Sequence, residues 1–277
     1  MSLQTTPPRL LASAIASIPT NSLVESAKRQ AARRAIDDFI PFSPPGLSTP
    51  LRLGVGSGST IIYAIQRIAE RVQDPNESLR VICIPTSFQS KNLLADAGVP
   101  LSDLNATPEL DIAIDGADEI IPGSLDCIKG GGACQTQEKL VANAAKIFVL
   151  VMDNKKIAPS QGLLGGWRKG IPLEVLSLAY VPVMMKLKEL GGSPVLRMAG
   201  ASKAGPCVTD NGNFVIDVDF GSGAGLESAG HGNAEAMHKK LKLIPGVVET
   251  GLFPGMAARA YIGFEDGSVT IWNKSSP

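Results

Sequence analysis

The first half of the chain alternates short apolar runs with amphipathic segments, and this alternation limits the possible folds more than any other feature. The apolar runs are too short for buried helices, whereas the segments between them place apolar residues three or four positions apart. Strands that alternate with helices in this way form a mostly parallel sheet with helices on both faces, a Rossmann-like α/β fold. The predicted strands are Leu51–Val55, Val81–Ile84, Ile112–Ile114 and Ile147–Met152, and the predicted helices are Ser22–Phe39, Thr60–Val72, Ser87–Ala97 and Glu138–Ala145.

The pattern changes after Ile171, where strand-like and helical segments follow one another in the order β-α-β-β-α-β. This order predicts a smaller α+β domain of the ferredoxin-like type. Its tight turns fall at Gly191-Gly192 and Asp210-Asn211-Gly212. Two apolar runs within Ala258–Trp272 are expected to return to the large sheet. The predicted strands of the small domain are Leu173–Leu178, Val195–Met198, Phe214–Phe220 and Val247–Leu252, and its predicted helices are Val183–Leu190 and Ala234–Leu243.

These patterns divide the chain into three parts. Residues 22–170 and 253–277 are predicted to form the large α/β domain, and residues 171–252 the small ferredoxin-like domain. Residues 1–21 carry prolines among serines and threonines, and they are predicted to be a flexible tail. Because no acidic residue precedes Glu25, a mitochondrial presequence is an alternative interpretation of this tail.

Charge and cysteine content exclude several classes of function. The 26 basic residues balance the 26 acidic ones, so no net charge draws the chain to nucleic acid or to an anionic membrane. No stretch approaches the ~20 apolar residues that a membrane span requires. The four cysteines form no CxxC pair and there are only two histidines, so no zinc site is predicted. The simplest interpretation of the four cysteines is that they are reduced thiols of a cytoplasmic protein, with Cys83 buried in its strand.

A glycine-rich loop, Leu53–Thr60, joins the first strand to the next helix. Its glycines allow a sharp turn, and its hydroxyls stand at a helix N-terminus, where backbone N–H groups attract phosphate. The spacing fits neither a Walker A loop nor a dinucleotide fingerprint, and the next strand ends in Pro85-Thr86 rather than in a ribose-binding acid. The loop therefore predicts a small phosphorylated ligand, although a capped glycine turn without function fits the same residues. Pro85–Gln89 repeats the arrangement at the neighbouring strand end.

Three acids follow the next buried strand: Asp115, Asp118 and Glu119. Carboxylates this close together can bind a divalent metal, carry protons or cap a turn. Lys129–Gly132 comes shortly afterwards and is typical of an anion nest, in which a lysine stands beside accessible backbone N–H groups. Such a nest can stabilise a developing oxyanion. Because the lysine offers the acids a positive partner, a metal is not required.

Two further candidates follow along the chain. Glu138 falls in the first turn of a predicted helix, where a glutamate can act as a base or merely complement the helix dipole. Lys155 and Lys156 follow the strand Ile147–Met152, where they can bind an anion or simply face solvent. Ligands of parallel sheets bind at the carboxyl ends of the strands, so all these candidates are expected at one edge of the sheet.

The chain closely resembles type A ribose-5-phosphate isomerase in five motifs, which occur in the order GVGSGST, IPTSFQS, IDGADE, KGGGACQTQEK and IPGVVETGLF. The resemblance runs from about Ser22 to about Thr270. It implies an aldose–ketose isomerase of the non-oxidative pentose phosphate pathway, which interconverts D-ribose 5-phosphate and D-ribulose 5-phosphate through an enediolate without a metal or organic cofactor. It also implies a two-domain fold, a cytoplasmic location and a homodimer or homotetramer.

Motif by motif, the resemblance assigns roles to the acids and the lysine. It implies that Glu138 is the base that moves a proton between C1 and C2 of the sugar. Lys129 and the amides of Gly130–Gly132 would stabilise the enediolate. Asp115 and Asp118 would bind sugar hydroxyls, assist ring opening and carry protons between O1 and O2.

The resemblance also implies which residues bind the substrate. The loop Ser57–Thr60 would hold the phosphate, with Lys156 as a distal phosphate ligand, and this remote anchor would hold the reacting carbons in place. No residue is predicted to bind a metal. The predicted substrate-binding residues are Ser57, Gly58, Ser59, Thr60, Ser87, Asp115, Gly116, Ala117, Asp118, Lys129, Gly130, Gly131, Gly132 and Lys156.

Three features depart from common bacterial members of the family: Gln135 and Gln137 in place of Leu and Arg, a longer segment Ala158–Lys169, and an expanded Gly221–Asn233. None removes a candidate catalytic residue, but they leave open a paralogue that isomerises another sugar phosphate. Two other classes remain as alternatives, an acyl-CoA transferase with a glutamyl adduct and a sugar-phosphate sensor without turnover. A sensor usually carries a helix-turn-helix, and the basic segment Lys28–Arg34 offers no second helix for one.

Overall fold

The structure is a computed structural model that describes residues 13, 22–40, 49–77, 79–159, 162–221, 226 and 230–275. The chain divides into two compact units. The first comprises residues 1–116, 141–154 and 261–271, and the second comprises residues 117–140, 155–260 and 272–277. The predicted tail at residues 1–21 lies, except for Ser13, outside the described residues.

The first unit is built on a parallel sheet. Its neighbouring parallel strands are, in spatial order, β2 (Val81–Pro85), β1 (Leu51–Val55), β3 (Leu110–Asp115) and β6 (Ala145–Asp153). Leu53 lies opposite both Cys83 and Ile112. Two late strands extend the sheet beyond β6, which confirms the predicted return of the chain to it. These two strands are β12 (Arg259–Gly263) and β13 (Val269–Asn273).

Amphipathic helices accompany these strands: α1 (Leu23–Phe39), α2 (Ile61–Gln73), α3 (Phe88–Asp96) and α4 (Gln135–Ala144), the last leading directly into β6. α1 begins after Ser22, whose hydroxyl accepts the N–H of Glu25. α2 buries Ile61, Ile65 and Ile68 at the spacing that the sequence predicted, and these side chains belong to the apolar core of the first unit. The predicted mostly parallel α/β architecture is therefore confirmed.

The second unit contains a four-stranded antiparallel sheet. Its strands are β7 (Ile171–Val175), β8 (Ser193–Leu196), β9 (Phe214–Asp219) and β10 (Val247–Thr250). Their spatial order is β10-β7-β9-β8. Helix α5 (Tyr180–Glu189) lies between β7 and β8, and α6 (Ala234–Lys242) lies between β9 and β10. This β-α-β-β-α-β unit is the ferredoxin-like domain that the sequence predicted. Its apolar core includes Val183, Leu187, Met237 and Leu241.

A second sheet of this unit is absent from the sequence prediction. It consists of β4 (Glu119–Ile120), β5 (Cys127–Ile128) and β11 (Leu252–Phe253) in the antiparallel order β11-β5-β4. The prediction of one strand over Val247–Leu252 is therefore wrong, because β10 stops at Thr250 and the chain crosses to the other sheet at Gly251. A Cβ atom on Gly251 would lie 2.2 Å from the carbonyl oxygen of Lys129, so the crossing requires glycine.

Other elements keep their predicted type but have different ends. The strand predicted over Leu173–Leu178 is β7, which starts at Ile171 and stops at Val175. Leu176 and Leu178 are 51% and 94% exposed. Because both are apolar, the sequence prediction placed the end of the strand three residues too late. Helix α4 begins three residues before its predicted start, which leaves Glu138 in its first turn.

The predicted domain limits, 22–170 with 253–277 and 171–252, stay a prediction. The compact units place residues 117–140 with the ferredoxin-like domain. Residues 160, 161, 222–225 and 227–229 of the two expanded segments lie outside the described residues. Cys83 is buried as predicted, and burial raises the pKa of its thiol to about 12. Among the described helices, none combines the length and the apolar character needed to cross a membrane.

Candidate active site

Hydroxyl groups from two strand ends meet in the first unit. Ser57 follows β1, and its Oγ lies 2.6 Å from Oγ of Ser87 and 2.8 Å from Oγ1 of Thr86, which follow β2. Because β1 and β2 are parallel neighbours, their carboxyl ends bring these side chains together. The N–H of Gly58 donates to Oε1 of Gln89 at 2.8 Å. The glycine-rich loop and the motif after β2 therefore form one polar cluster.

Asp115 ends β3 and lies against the same loop. It is 2% exposed, and its Oδ1 accepts the N–H groups of Ser57 at 3.1 Å and of Gly116 at 2.7 Å. A Cβ atom on Gly56 would lie 2.0 Å from this oxygen, so the glycine makes room for the carboxylate. Hydrogen bonds from backbone N–H groups to a carboxylate are strong and directional. Asp115 is thereby fixed beside the hydroxyl cluster.

A buried ion pair lies in the second unit. Nζ of Lys129 is 3.3 Å from Oε2 of Glu138, and the two side chains are 3% and 6% exposed. Lys129 follows β5, and Glu138 lies in the first turn of α4. The ammonium group also lies 5.6 Å from the ring centre of Phe253, a cation–π contact. Since a buried charge is costly unless it is paired, the two side chains stabilise each other in this position.

The glycine loop after β5 is held in a tight turn. Gly130 has a φ of 101° and Ala133 a φ of 61°, and the N–H of Ala133 donates to the carbonyl of Gly130. The N–H of Gly131 donates to Oδ2 of Asp118 at 2.7 Å. The backbone N–H of Asp118 in turn donates to the carbonyl of Ile128 in β5. One N–H group of the loop therefore holds Asp118, and the function of the loop as an anion nest stays a prediction.

Glu119 is separate from the other acids. Its buried carboxylate accepts the N–H groups of Leu164 at 2.6 Å, Gly166 at 2.5 Å and Trp167 at 2.9 Å. Both carboxylate oxygens take part in these bonds, so Glu119 anchors the expanded segment 158–169. Within the part of the chain that the structure describes, no three His, Cys, Asp or Glu side chains are grouped to hold a metal ion.

Comparison with known proteins agrees with these motifs. The family model of ribose 5-phosphate isomerase A (phosphoriboisomerase A) matches residues 82–267. The chain belongs to this family. The ribose-5-phosphate isomerase of Candida albicans is 47% identical over 257 residues, which cover 92% of this chain and 99% of that protein. The ribose-5-phosphate isomerase of Homo sapiens is 47% identical over 262 residues, which cover 92% of this chain and 76% of that protein.

Two solved members of the isomerase family share the fold. Ribose 5-phosphate isomerase A from Methanocaldococcus jannaschii is 35% identical with a TM-score of 0.77, covering 90% of this chain and 99% of that one. A second ribose-5-phosphate isomerase, solved in complex with phospho-erythronic acid, is 31% identical with a TM-score of 0.78, covering 91% and 99%. The family fold inferred from the sequence motifs is therefore confirmed.

The other residues that the isomerase resemblance singled out make fewer contacts. Ser59 accepts a hydrogen bond from Nζ of Lys28 at 3.1 Å, and Thr60 is buried directly before α2. Gly116-Ala117 links the two acids Asp115 and Asp118 along the chain. Lys156 is half-buried in a one-turn 3₁₀ helix after β6. The roles of these individual residues stay predictions.

Sequence patterns miss a buried acid that supports this site. Glu174 in β7 is 0% exposed, and its carboxylate accepts four hydrogen bonds. One of them comes from the first turn of α4, two residues before Glu138. The four donors are the side chains of Thr136, Thr209, Asn211 and Asn213.

A buried lysine beside Glu138 is also absent from the prediction. Nζ of Lys139 donates to the carbonyl of Thr250 at 2.7 Å and to Oε1 of Glu249 at 2.9 Å, and it lies 4.6 Å from the ring centre of Phe253. Burial lowers the pKa of Lys139 to about 8, against the attraction of Glu249. Lys139 therefore ties α4 to the end of β10. Its partners lie 110 and 111 residues away, where no local pattern indicates them.

Proposed function

We propose that this protein interconverts D-ribose 5-phosphate and D-ribulose 5-phosphate through an enediolate intermediate. The observation that carries the proposal is the buried pair of Lys129 and Glu138, a cation and a base 3.3 Å apart. Relatives at 47% identity are named ribose-5-phosphate isomerase. A proton next to a carbonyl is only weakly acidic, so its removal requires a base and a group that stabilises the developing negative charge. The pair supplies both.

In the proposed reaction Glu138 removes the proton from C2 of open-chain ribose 5-phosphate, and the electron pair moves onto the carbonyl oxygen O1. The ammonium group of Lys129 and the N–H groups of Gly130–Gly132 stabilise the enediolate. A proton then moves from O2 to O1, and Glu138 returns its own proton to C1, which leaves the ketose carbonyl at C2. Asp115 and Asp118 bind the sugar hydroxyls, assist ring opening and carry the proton between the two oxygens.

The phosphate of the substrate is held in this proposal by Ser57–Thr60, with Ser87 in the same hydroxyl cluster and Lys156 as a distal ligand. Hydroxyl and backbone N–H groups at the start of α2 suit a phosphate. Binding at this remote group would hold C1 and C2 against the base, which lowers the entropy cost of the reaction. A relative solved with phospho-erythronic acid supports a sugar phosphate as the ligand class.

We further infer that the reaction requires neither a metal nor an organic cofactor, because Lys129 provides the positive charge that a metal would otherwise supply. The same proposal places the protein in the non-oxidative pentose phosphate pathway of the cytoplasm, as a homodimer or homotetramer. These points rest on the family resemblance.

The test is turnover of ribose 5-phosphate in the presence of EDTA, for the wild-type protein and for Glu138→Gln. Glutamine keeps the shape of the side chain but cannot accept the proton, so we expect the rate to fall by about 100-fold or more. EDTA should leave the wild-type rate unchanged. Glu189→Gln is the matched control, because the side chain of Glu189 is exposed and pairs with the exposed Lys186, and it should keep the wild-type rate.

Each other outcome has a defined meaning. Wild-type turnover that disappears in EDTA would place a metal in the mechanism. A Glu138→Gln variant with wild-type activity would remove Glu138 as the base. Binding of ribose 5-phosphate without turnover would identify a sensor or a paralogue with a different substrate.

A further inference from the structure

Arg197 connects the ferredoxin-like domain to the glycine loop within the second unit. It follows β8, and its Nη1 donates to the carbonyl oxygens of Gly130 at 2.9 Å and Gly131 at 3.2 Å. Its Nε and Nη2 donate to the two carboxylate oxygens of Asp217 in β9. One edge of the guanidinium group therefore binds a carboxylate, and the remaining nitrogen binds the loop.

Asp217 holds Arg197 in one orientation. Val195 pairs with Asp217 across β8 and β9, so Arg197, two residues further on, projects from the same face. The two side chains are 17% and 16% exposed, and paired N–H···O bonds define the plane of the guanidinium group. Burial acts against the charge of Arg197, but the hydrogen bonds and charge of Asp217 outweigh it and hold the pKa above its ordinary value. Arg197 is therefore a charged and fixed donor.

The two bonded carbonyls determine where the loop N–H groups point. In a trans peptide the C=O of one residue and the N–H of the next point to opposite sides. Because the carbonyls of Gly130 and Gly131 face Arg197, the N–H groups of Gly131 and Gly132 are directed away from it. The N–H of Gly131 is the donor that holds Asp118. Glycine has the largest conformational freedom of any residue, so this orientation depends on an external anchor.

We propose that Arg197 is a positioning residue, which holds the peptide groups of Gly130–Gly132 so that Asp118 and the loop donors are in place before the enediolate forms. The inference rests on the proposed function, in which these groups meet the developing negative charge. The guanidinium group also polarises the two peptide groups, which strengthens their N–H groups as donors. Arg197 acts through the loop and not on the substrate itself.

The test compares kcat and KM of the wild-type protein, Arg197→Lys and Arg197→Met. Lysine keeps a positive charge opposite Asp217 but lacks the fork that binds the carboxylate and both carbonyls together. Displacement of catalytic donors by ~1 Å costs about 100-fold in rate, so we expect kcat to fall about 10-fold in Arg197→Lys and about 100-fold in Arg197→Met, with little change in KM. Arg67→Met is the control, because Arg67 also binds two carboxylates, of Asp37 and Glu70.

Inhibition by phospho-erythronic acid separates positioning from a general loss of structure. The carboxylate of this compound, which is the ligand of a solved relative, carries negative charge as the enediolate does. Its inhibition constant should therefore rise across the variants by the same factor as kcat/KM falls. Inorganic phosphate is held in the proposal by Ser57–Thr60 and Lys156 and not by the glycine loop, so it should bind all variants equally.

An Arg197→Lys variant that folds and keeps the wild-type kcat would overturn the inference. A fall in kcat/KM without a rise in the inhibition constant would overturn it as well. If Arg197→Met does not fold, Arg197→Lys decides the question, because it retains a cation opposite Asp217. Failure of the proposed function is recognised separately, since the wild-type protein itself would then not isomerise ribose 5-phosphate.

Discussion

Replacement of Glu174 tests whether the buried acid of β7 holds the start of α4 in place. Its Oε1 accepts from Thr209 at 2.9 Å, Asn211 at 3.0 Å and Asn213 at 2.8 Å, and its Oε2 accepts from Thr136 at 2.5 Å. A methionine at this position has a similar length but offers no comparable acceptor. All four donors would then lose their partner.

The cost of Glu174→Met follows from these four groups. A buried donor left unpaired costs about 1–3 kcal/mol, and a partly exposed donor regains part of this from water. Thr209 is 6% exposed, whereas Thr136, Asn211 and Asn213 are less buried. We therefore expect the free energy of unfolding to fall by about 3–5 kcal/mol, which corresponds to a melting temperature lower by roughly 10 °C.

Urea unfolding followed by circular dichroism measures this change. Glu174→Gln should lie between the wild-type protein and Glu174→Met, because its amide oxygen can still accept about two of the three bonds that Oε1 accepts now. Glu235→Gln is the control, since the side chain of Glu235 is exposed and pairs with the exposed Lys239, and its stability should lie close to that of the wild type. A Glu174→Met variant as stable as Glu174→Gln would refute the reasoning, because the number of retained acceptors would then not matter.

Two further predictions concern other parts of the second unit. Burial, together with the charge of Lys139, lowers the pKa of His238 from 6.5 to about 4. Between pH 4 and pH 6.5 the unfolded chain therefore binds more protons than the folded one. The free energy of unfolding falls as the pH drops from 6.5 towards 4. His238→Gln should flatten this part of the pH dependence of urea unfolding, and an unchanged acid slope would contradict the assignment. In Gly131→Ala the new Cβ would lie 2.7 Å from Oδ1 of Asp118, whereas in Gly132→Ala it would meet nothing within 4 Å. Gly131→Ala should therefore lose about 1–3 kcal/mol of stability in thermal unfolding, and equal melting temperatures for the two variants would contradict the close contact.

The parallel sheet could be predicted from the sequence because its strands are buried on both faces. β1 has the predicted bounds, with Pro50 directly before it and Gly56 directly after it. The three-stranded sheet could not be predicted in the same way. β4 and β5 have two residues each, which is too few to show a hydrophobic period. The change of sheet at Gly251 is explained by its close approach to Lys129, which the sequence does not show.

The candidate residues could be selected from the sequence where they belong to local motifs. Ser57 and Asp115 stand at the carboxyl ends of parallel strands, where such a sheet places ligands. Lys129 was expected at the same sheet edge, but it follows β5 of the antiparallel three-stranded sheet. Glu174 and Arg197 carry no such signal, because a charged residue in a short strand is indistinguishable from a solvent-facing one. Their partners in the site lie 38 and 67 residues away, so only the folded chain reveals them.

A buried charge destabilises a fold unless it is paired, since the transfer of an ion out of water costs several kcal/mol. In the second unit Glu174 and Lys139 are buried and Arg197 is partly buried, and all three are hydrogen-bonded. Each contacts the chain between Lys129 and Lys139 or belongs to it. Their common effect is to fix the glycine loop and the first turn of α4, the two segments that carry the proposed donors and the proposed base. Donors and bases that are oriented in advance need no reorganisation when charge develops, and this is the largest source of electrostatic catalysis. The ferredoxin-like domain, which supplies Glu174 and Arg197, is therefore expected to set the reaction rate as well as to complete the fold.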